Sequence, residues 1–498
     1  MGIKTAKYLL SALLLLGSLT AFSFEHPRRH ILPKSISSKR AAAAKRAKTY
    51  SGDKRQLVVL VSFRDLDFES ENPQPLWEQI FNQENFSVSP YRGSVHDYFY
   101  DQSYGKFNLH FDLHTIKVDK EHAIYHSTRE DDANAALLLL ALADSLKNIV
   151  TDWAPYDWDE DGYIDQVLVL FAGYGQNDGG NSNTIWAHQA SLTSYEYDPV
   201  TVSNNGKDYK IDHYGFFPEK GKTSASFGTL CHEFGHCMGL PDFYYGNNTS
   251  IVKEWDIMDY GNYNEKGYCP PCYSAHERML LGWLDIKELT EPVSITDMPA
   301  LNDEPVAYLI RNDNYENEYY ILENRQKQGW DMSLPGNGLI IFHIDYDEDI
   351  WLYEVPNSYI YKRYSIIPAN NMAQTYFSYG WAYPFSEKDS LTNNSSPAST
   401  LFHAAKDGTL LMSKPITNIR MNDGLASFDF MGGEQTAIQS QTFARPKDAC
   451  YPWDARNLQS QIKEIYDLRG QQIPKEAMGT GIYIVRYANG QTKKVVRR

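Results

Sequence analysis

One short run holds residues whose types and spacing could do chemistry: His232, Glu233 and His236, followed by Gly239 and Asp242. A helix puts positions i and i+4 on one face, so the two imidazoles can converge on one point. Neutral imidazole suits Zn²⁺, at a Zn–N distance of roughly 2.0–2.1 Å. Glu233 would then reach a metal-held water from the side. As general base it would take the water's proton during attack on a peptide carbonyl and pass it to the leaving nitrogen. A catalytic zinc needs a third protein ligand and one open position. Gly239 can adopt positive φ and stop the helix, after which Leu240-Pro241 can return Asp242 to the ion. The rival third ligand is Glu277, in the later run Ser274–Met279. The exit at Gly239 favours Asp242. H-E-x-x-H alone turns up by chance in roughly one chain of this length in twenty, and adding the glycine and aspartate lowers that to about one in several thousand. The run is therefore read as a site.

Two further groups belong to the same reading. Met258, in Trp255–Tyr260, can form an apolar floor beneath the histidines, and Tyr260 can point its hydroxyl at the metal or at a developing oxyanion. Asp157, Asp159, Asp161 and Asp165 fall at positions 1, 3, 5 and 9 of a loop with Gly162 at position 6. With the carbonyl of Tyr163 at position 7, this is the pattern of a structural calcium loop. Leu168 stands where a full EF-hand has its bidentate glutamate, so the match is partial.

The elements that must position these residues can be read from hydrophobic patterning. Gln56–Phe63 and Gln166–Phe171 are mostly apolar runs and predict buried strands. Helices are expected around Ser94–Tyr100 and Asn134–Ile149, and from Ser224 through the histidines. After Trp283 the texture changes to short strand-like segments, Ala307–Ile310, Glu318–Glu323, Gly338–Ile344 and Ala426–Phe430, separated by Gly, Pro, Asn and Asp. The expected fold class is α+β: a catalytic domain over 56–290, a β-rich, sandwich-like domain over 291–432, and a linker with a small β module over 433–498. That module is expected to hold two short strands and a cationic end.

The chain resembles the immune-inhibitor-A-like family of secreted bacterial zinc metalloproteases, within the metzincin clan. The resemblance lies in His232-Glu233-x-x-His236-x-x-Gly239-x-x-Asp242, in the turn at Met258, and in the blocks Ser94–Phe99, Ser103–Gly105, Thr184–Gln189, Glu323–Gln326 and Leu334–Asp345. It implies zinc ligation by His232, His236 and Asp242, with Glu233 as general base and protein or peptide substrates. The Met-x-Tyr spacing is similar to the astacin-type branch. The C-terminal segment resembles the sorting domains of proteins exported by the type IX secretion system.

Bulk properties fit an exported enzyme. The 498 residues include 36 tyrosines and carry a formal net charge of −16, which argues against a nucleic-acid partner. Lys4, Lys7, the apolar run Tyr8–Leu16 and small residues up to Ser23 describe a secretory signal peptide over 1–23. A basic leader or short propeptide follows over 24–55, and no segment is long and apolar enough to span a bilayer. The expected location is secreted or at the cell surface, reached through the export machinery. Five cysteines are too few for a disulfide scaffold, and at least one should remain unpaired. Two other classes compete: an adhesin whose zinc only staples the fold, disfavoured because Glu233 is present, and a zinc hydrolase acting on glycans or lipids.

Overall fold

The computed structural model describes residues 50–128, 132–204, 206–245, 249–353, 355–358, 361–373 and 378–433, together with short strand segments nearer both termini. The proposed signal peptide, most of the leader and most of the linker after residue 433 lie outside the described residues.

Two long parallel strands, β1 (Gly52–Phe63) and β2 (Phe107–Val118), pair over their whole length, Gly52 opposite Phe107 and Phe63 opposite Val118. On its other side β1 pairs in parallel with β3 (Val167–Tyr174). Beyond β3 lies β5 (His213–Lys220), parallel to β3 but antiparallel to the short strand β4 (His188–Ser191). At the far edge Arg28–Arg29 pairs in parallel with β4. β1 begins at Gly52, inside the stretch read as leader, and the carbonyl of Tyr50 accepts a hydrogen bond from the Trp283 indole.

Parallel pairing demands crossovers, and the helices supply them on both faces. Alternate residues of β1 divide accordingly. Val58 and Leu60 pack with Trp77, Ile80, Tyr98, Phe99, Leu230 and Phe234, whereas Leu57, Val59 and Val61 pack with Leu138, Leu139, Leu142 and Leu146. The first face is covered by α1 (Pro73–Asn82), α2 (Val95–Gln102) and α4 (Ser226–Cys237), and the second by α3 (Ala133–Ile149). Ser94 and Asp97 close the start of α2 with a reciprocal capping box. No helix among the described residues is long and apolar enough to cross a membrane.

After the short helix α5 (Ala275–Leu280), two sheets face each other, each antiparallel except for one short parallel strand at its edge. One contains β7 (Val293–Met298), β12 (Ile416–Asn422) and β13 (Leu425–Phe430), with Ile438–Gln439 at its edge. The other runs in the order β11 (Tyr364–Ile366), β10 (Gly338–Asp345), β9 (Tyr315–Arg325), β8 (Tyr308–Asn312) and β6 (Lys287–Glu288). Parity again decides what each residue touches. Tyr320, Leu322, Leu339 and Ile341 meet the facing sheet, while Tyr319, Ile321, Ile340 and Phe342 join the core that contains Phe234 of α4. This second sheet is buried on both faces and shares a core with the histidine helix. Near the C-terminus, β14 (Ile462–Tyr466), β15 (Gly481–Tyr487) and β16 (Thr492–Arg497) form a three-stranded antiparallel sheet. The cationic end expected after two strands is itself a third strand.

Candidate metal centre

α4 lies against β5 so closely that a Cβ on Gly215 would sit 3.5 Å from Cys237 Sγ and 4.0 Å from Glu233 Cβ. The helix ends in a Schellman motif: Leu240 N–H donates to Gly235 O and Gly239 N–H to His236 O, with Gly239 at φ +94°. The reversed chain then serves the site twice. Leu240 O accepts from His236 Nδ1 at 2.8 Å, and Asp242 Oδ1 comes within 3.1 Å of His236 Nε2 and 3.3 Å of His232 Nε2.

His232 Nδ1 lies 2.7 Å from Ile257 O. A carbonyl only accepts, so each Nδ1 carries a proton, and each ring, when neutral, presents a lone pair at Nε2. The two Nε2 atoms are 3.2 Å apart. Two lone pairs and a carboxylate oxygen at such distances repel unless a cation stands among them. A tetrahedral ion with bonds of roughly 2.0–2.1 Å sets its ligand atoms about 3.3–3.4 Å apart. The near-equilateral triangle of 3.1, 3.2 and 3.3 Å fits that ion. The hydrogen bonds at Nδ1 are the outer contacts that fix the tautomer of metal-binding histidines.

Glu233 is fully buried, and neither carboxylate oxygen has a hydrogen-bond partner. Burial first, then the neighbouring Asp242, pushes its carboxyl well above the usual range. A divalent cation at the triad would act in the opposite direction and favour the carboxylate. At Asp242 burial acts upward, and positive charge on the side of His236 and His232 overcomes it and lowers the pKa; with both rings neutral, a bound cation would supply that charge.

Met258 lies beneath the helix between the histidines: a Cβ on Gly235 would meet its Sδ at 2.7 Å and the Tyr273 hydroxyl at 3.0 Å. The turn that carries it is braced by two buried acids. Asp256 Oδ1 accepts from Met258 N–H, and Asp259 Oδ2 accepts from the N–H groups of Ile251, Val252 and Lys253. Burial pushes Asp256 to about 7 and Asp259 to about 6. Tyr260 is half-buried, its ring 5.4 Å from that of Tyr263.

Glu277, the rival ligand, is placed elsewhere. It caps α5, accepting from Ser274 N–H and Oγ. It ends a chain of oxygens running Asp256 Oδ2, Tyr364 OH, Ser274 Oγ and Glu277 Oε2, with separations of 2.8, 2.8 and 2.9 Å. Three links need three protons and the hydroxyls supply two, so one carboxyl holds the third. The upward push on both acids by burial agrees.

In the acidic loop, carboxylate oxygens of Asp157, Asp159 and Asp161 lie within 4.8 Å of one another, and Gly162 has φ +88°. Asp165 stands apart from that group: its carboxylate accepts from Trp158 N–H at 2.6 Å. Lys207 Nζ lies 3.5 Å from Asp157. Tyr163 pairs with Lys210 in an isolated bridge. Among the described residues Cys231, Cys237, Cys269 and Cys272 are free thiols, and they form no metal-ligand group.

Several residues at the site went unnoticed in the sequence. Asp256 had a faint local signal, since an acid two residues before a turn N–H is a common Asx arrangement. Phe243, Asn357 and Tyr364 had none, because they meet only in the fold.

Residues 45–280 match the family described as the immune inhibitor A peptidase M6 catalytic domain. Immune inhibitor A of Bacillus thuringiensis subsp. alesti is 24% identical over 285 residues, covering 46% of this chain and 40% of that protein. The pre-pro-metalloprotease PrtV of Vibrio cholerae serotype O1 is 30% identical over 131 residues, 25% of this chain and 14% of that protein. The chain thus spans less than half the length of the relatives it matches. Together these matches make residues 45–280 similar to the catalytic domain of immune inhibitor A-type metalloproteases.

Proposed function

We propose that the chain is an exported zinc-dependent endopeptidase that hydrolyses peptide bonds of protein substrates. The observation that carries this reading is the triangle of His232, His236 and Asp242 beside a buried Glu233 whose oxygens have no partner. Zinc, when bound, supplies a Lewis acid and lowers the pKa of water toward neutrality. The two imidazoles and the Asp242 carboxylate hold the ion, and the carbonyls of Ile257 and Leu240 fix the rings that do so. Glu233 takes the proton of the attacking water and returns it to the departing amine nitrogen. Its buried position keeps bulk water from competing for that proton. Tyr260 donates its hydroxyl to the oxyanion that develops at the scissile carbonyl. Peptide carbonyls of protein substrates are the matching electrophile, as the similarity to metalloproteases suggests.

The finer parts of the reading are a signal peptide over 1–23, a removable leader that ends before β1, and a C-terminal β module used in type IX export. A structural calcium in the Asp157–Asp165 loop belongs here too, supported by the convergence of Asp157, Asp159 and Asp161. Calcium added to a calcium-stripped chain should raise Tm, and Asp159→Asn should blunt that rise. A zymogram on casein or gelatin tests the main claim. A clearing band that a zinc chelator abolishes and added zinc restores supports it, and the absence of any band from folded, leader-free protein sinks it.

A further inference from the structure

The metal ligands all lie within residues 45–280, yet the segment that carries Asp242 is gripped from outside that range. Phe243, the next residue after Asp242, is held at three points. Its N–H donates to Met258 O at 2.9 Å. Its carbonyl accepts from Asn357 Nδ2 at 2.8 Å, and its ring stacks on Tyr364 with centroids 3.7 Å apart and planes 16° apart. Asn357 also pins Tyr364: its Nδ2 donates to Tyr364 O and its Oδ1 accepts from Tyr364 N–H, at 2.7 and 2.9 Å. Tyr364 sits on β11, the edge strand of the sandwich sheet, paired with β10 through Phe342 opposite Ile366. Its hydroxyl is 2.8 Å from Asp256 Oδ2, and the other oxygen of Asp256 holds Met258 N–H. One fully buried side chain therefore touches both the loop of the third ligand and the turn beneath the histidines.

We propose that Tyr364, assisted by Asn357, is a positioning residue for the metal centre, so that the β-rich part of the chain completes a site whose ligands lie in the preceding domain. The ring fixes Phe243 and thereby the approach of Asp242 Oδ1 to the two imidazoles. The hydroxyl fixes Asp256 and thereby Met258, whose neighbour Ile257 supplies the carbonyl that orients His232. Both contacts act on the ligand set through intervening residues, so their loss should weaken metal binding by less than, or at most as much as, the about 10- to 100-fold that follows loss of a contact made directly to a ligand. The inference rests on the zinc reading above.

The test is the zinc dissociation constant of the full chain, measured by competition with a chromogenic chelator, beside the Tm of the zinc-free protein. Tyr364→Leu, which loses both ring and hydroxyl, should weaken zinc about 10-fold, the lower end of that range. Tyr364→Phe keeps the stack and should fall between wild type and Tyr364→Leu. Asn357→Ala, which leaves the Phe243 carbonyl unheld, should also weaken zinc, and it serves with Tyr364→Phe if the leucine variant does not fold. A purely structural role lowers the zinc-free Tm and leaves the affinity of the folded chain unchanged; that pattern across the folded variants overturns the proposal. A wild-type chain that binds no zinc overturns the metalloprotease reading instead, and this inference with it.

Discussion

At the triad the decisive property is charge as much as shape. Asp242 brings one oxygen to within 3.1 and 3.3 Å of two imidazole Nε2 atoms whose Nδ1 partners face carbonyls. Asp242→Asn keeps the volume and removes the anion that offsets a dication. Zinc affinity should drop on the order of 100-fold or more, above the range for supporting contacts, as read by chelator competition. Unchanged affinity would show that this carboxylate is only a turn residue. The histidines, the glutamate and the helix exit were legible in the sequence, because their chemistry depends on local spacing along a helix and its cap. Tyr364 was not. It stands 122 positions after Asp242 by subtraction of their numbers, and nothing in its own segment distinguishes it from the other 35 tyrosines among the 36.

α4 is useful because of where it stops. Gly239 at φ +94° lets Leu240 turn its carbonyl onto His236 while Asp242 swings back to the site. No atom lies within 4 Å of a Cβ built there, so the cost of Gly239→Ala is purely one of backbone conformation. It should amount to about 1–2 kcal/mol, the left-handed penalty for a residue with a Cβ, visible as a lower Tm. A variant that is equally stable and active would show that the turn does not depend on positive φ. The strands show why part of the fold stayed hidden. The central runs Gln56–Phe63 and Gln166–Phe171 were plain because burial on both faces makes them continuously apolar. β2 alternates buried and exposed residues along Phe107–Val118, with two histidines and an aspartate among the polar positions, and it went unread. β5 also went unread, since His213, Pro218 and Glu219 break its apolar pattern. α1 was missed because prolines open it.

At the scale of the molecule, one continuous hydrophobic core runs from the central sheet through the histidine helix to the face of the β11–β10–β9–β8–β6 sheet that is turned away from its partner sheet. Polar groups are sealed into that junction, and His276 gives it a pH signature. It is fully buried among the rings of Tyr319, Tyr346, Trp351 and Tyr364, and burial pushes its pKa down to about 3. The unfolded chain takes up this proton below about 6.5, whereas the folded chain refuses it until about pH 3. The stability this group contributes is therefore present above the unfolded value and lost as pH falls from about 6.5 toward 3. Zinc-free His276→Phe should lose less Tm over that window than zinc-free wild type, and an equal loss in both would rule out a buried neutral histidine. The central claim, that Glu233 is the base of a zinc peptidase, is tested most directly by measuring zinc content and casein cleavage together on mature wild type and Glu233→Ala. The account expects one zinc bound by each chain, with cleavage by the variant lower by about 10²- to 10⁴-fold. A variant that keeps both zinc and full cleavage contradicts it, as does a wild type that binds zinc and cleaves no protein.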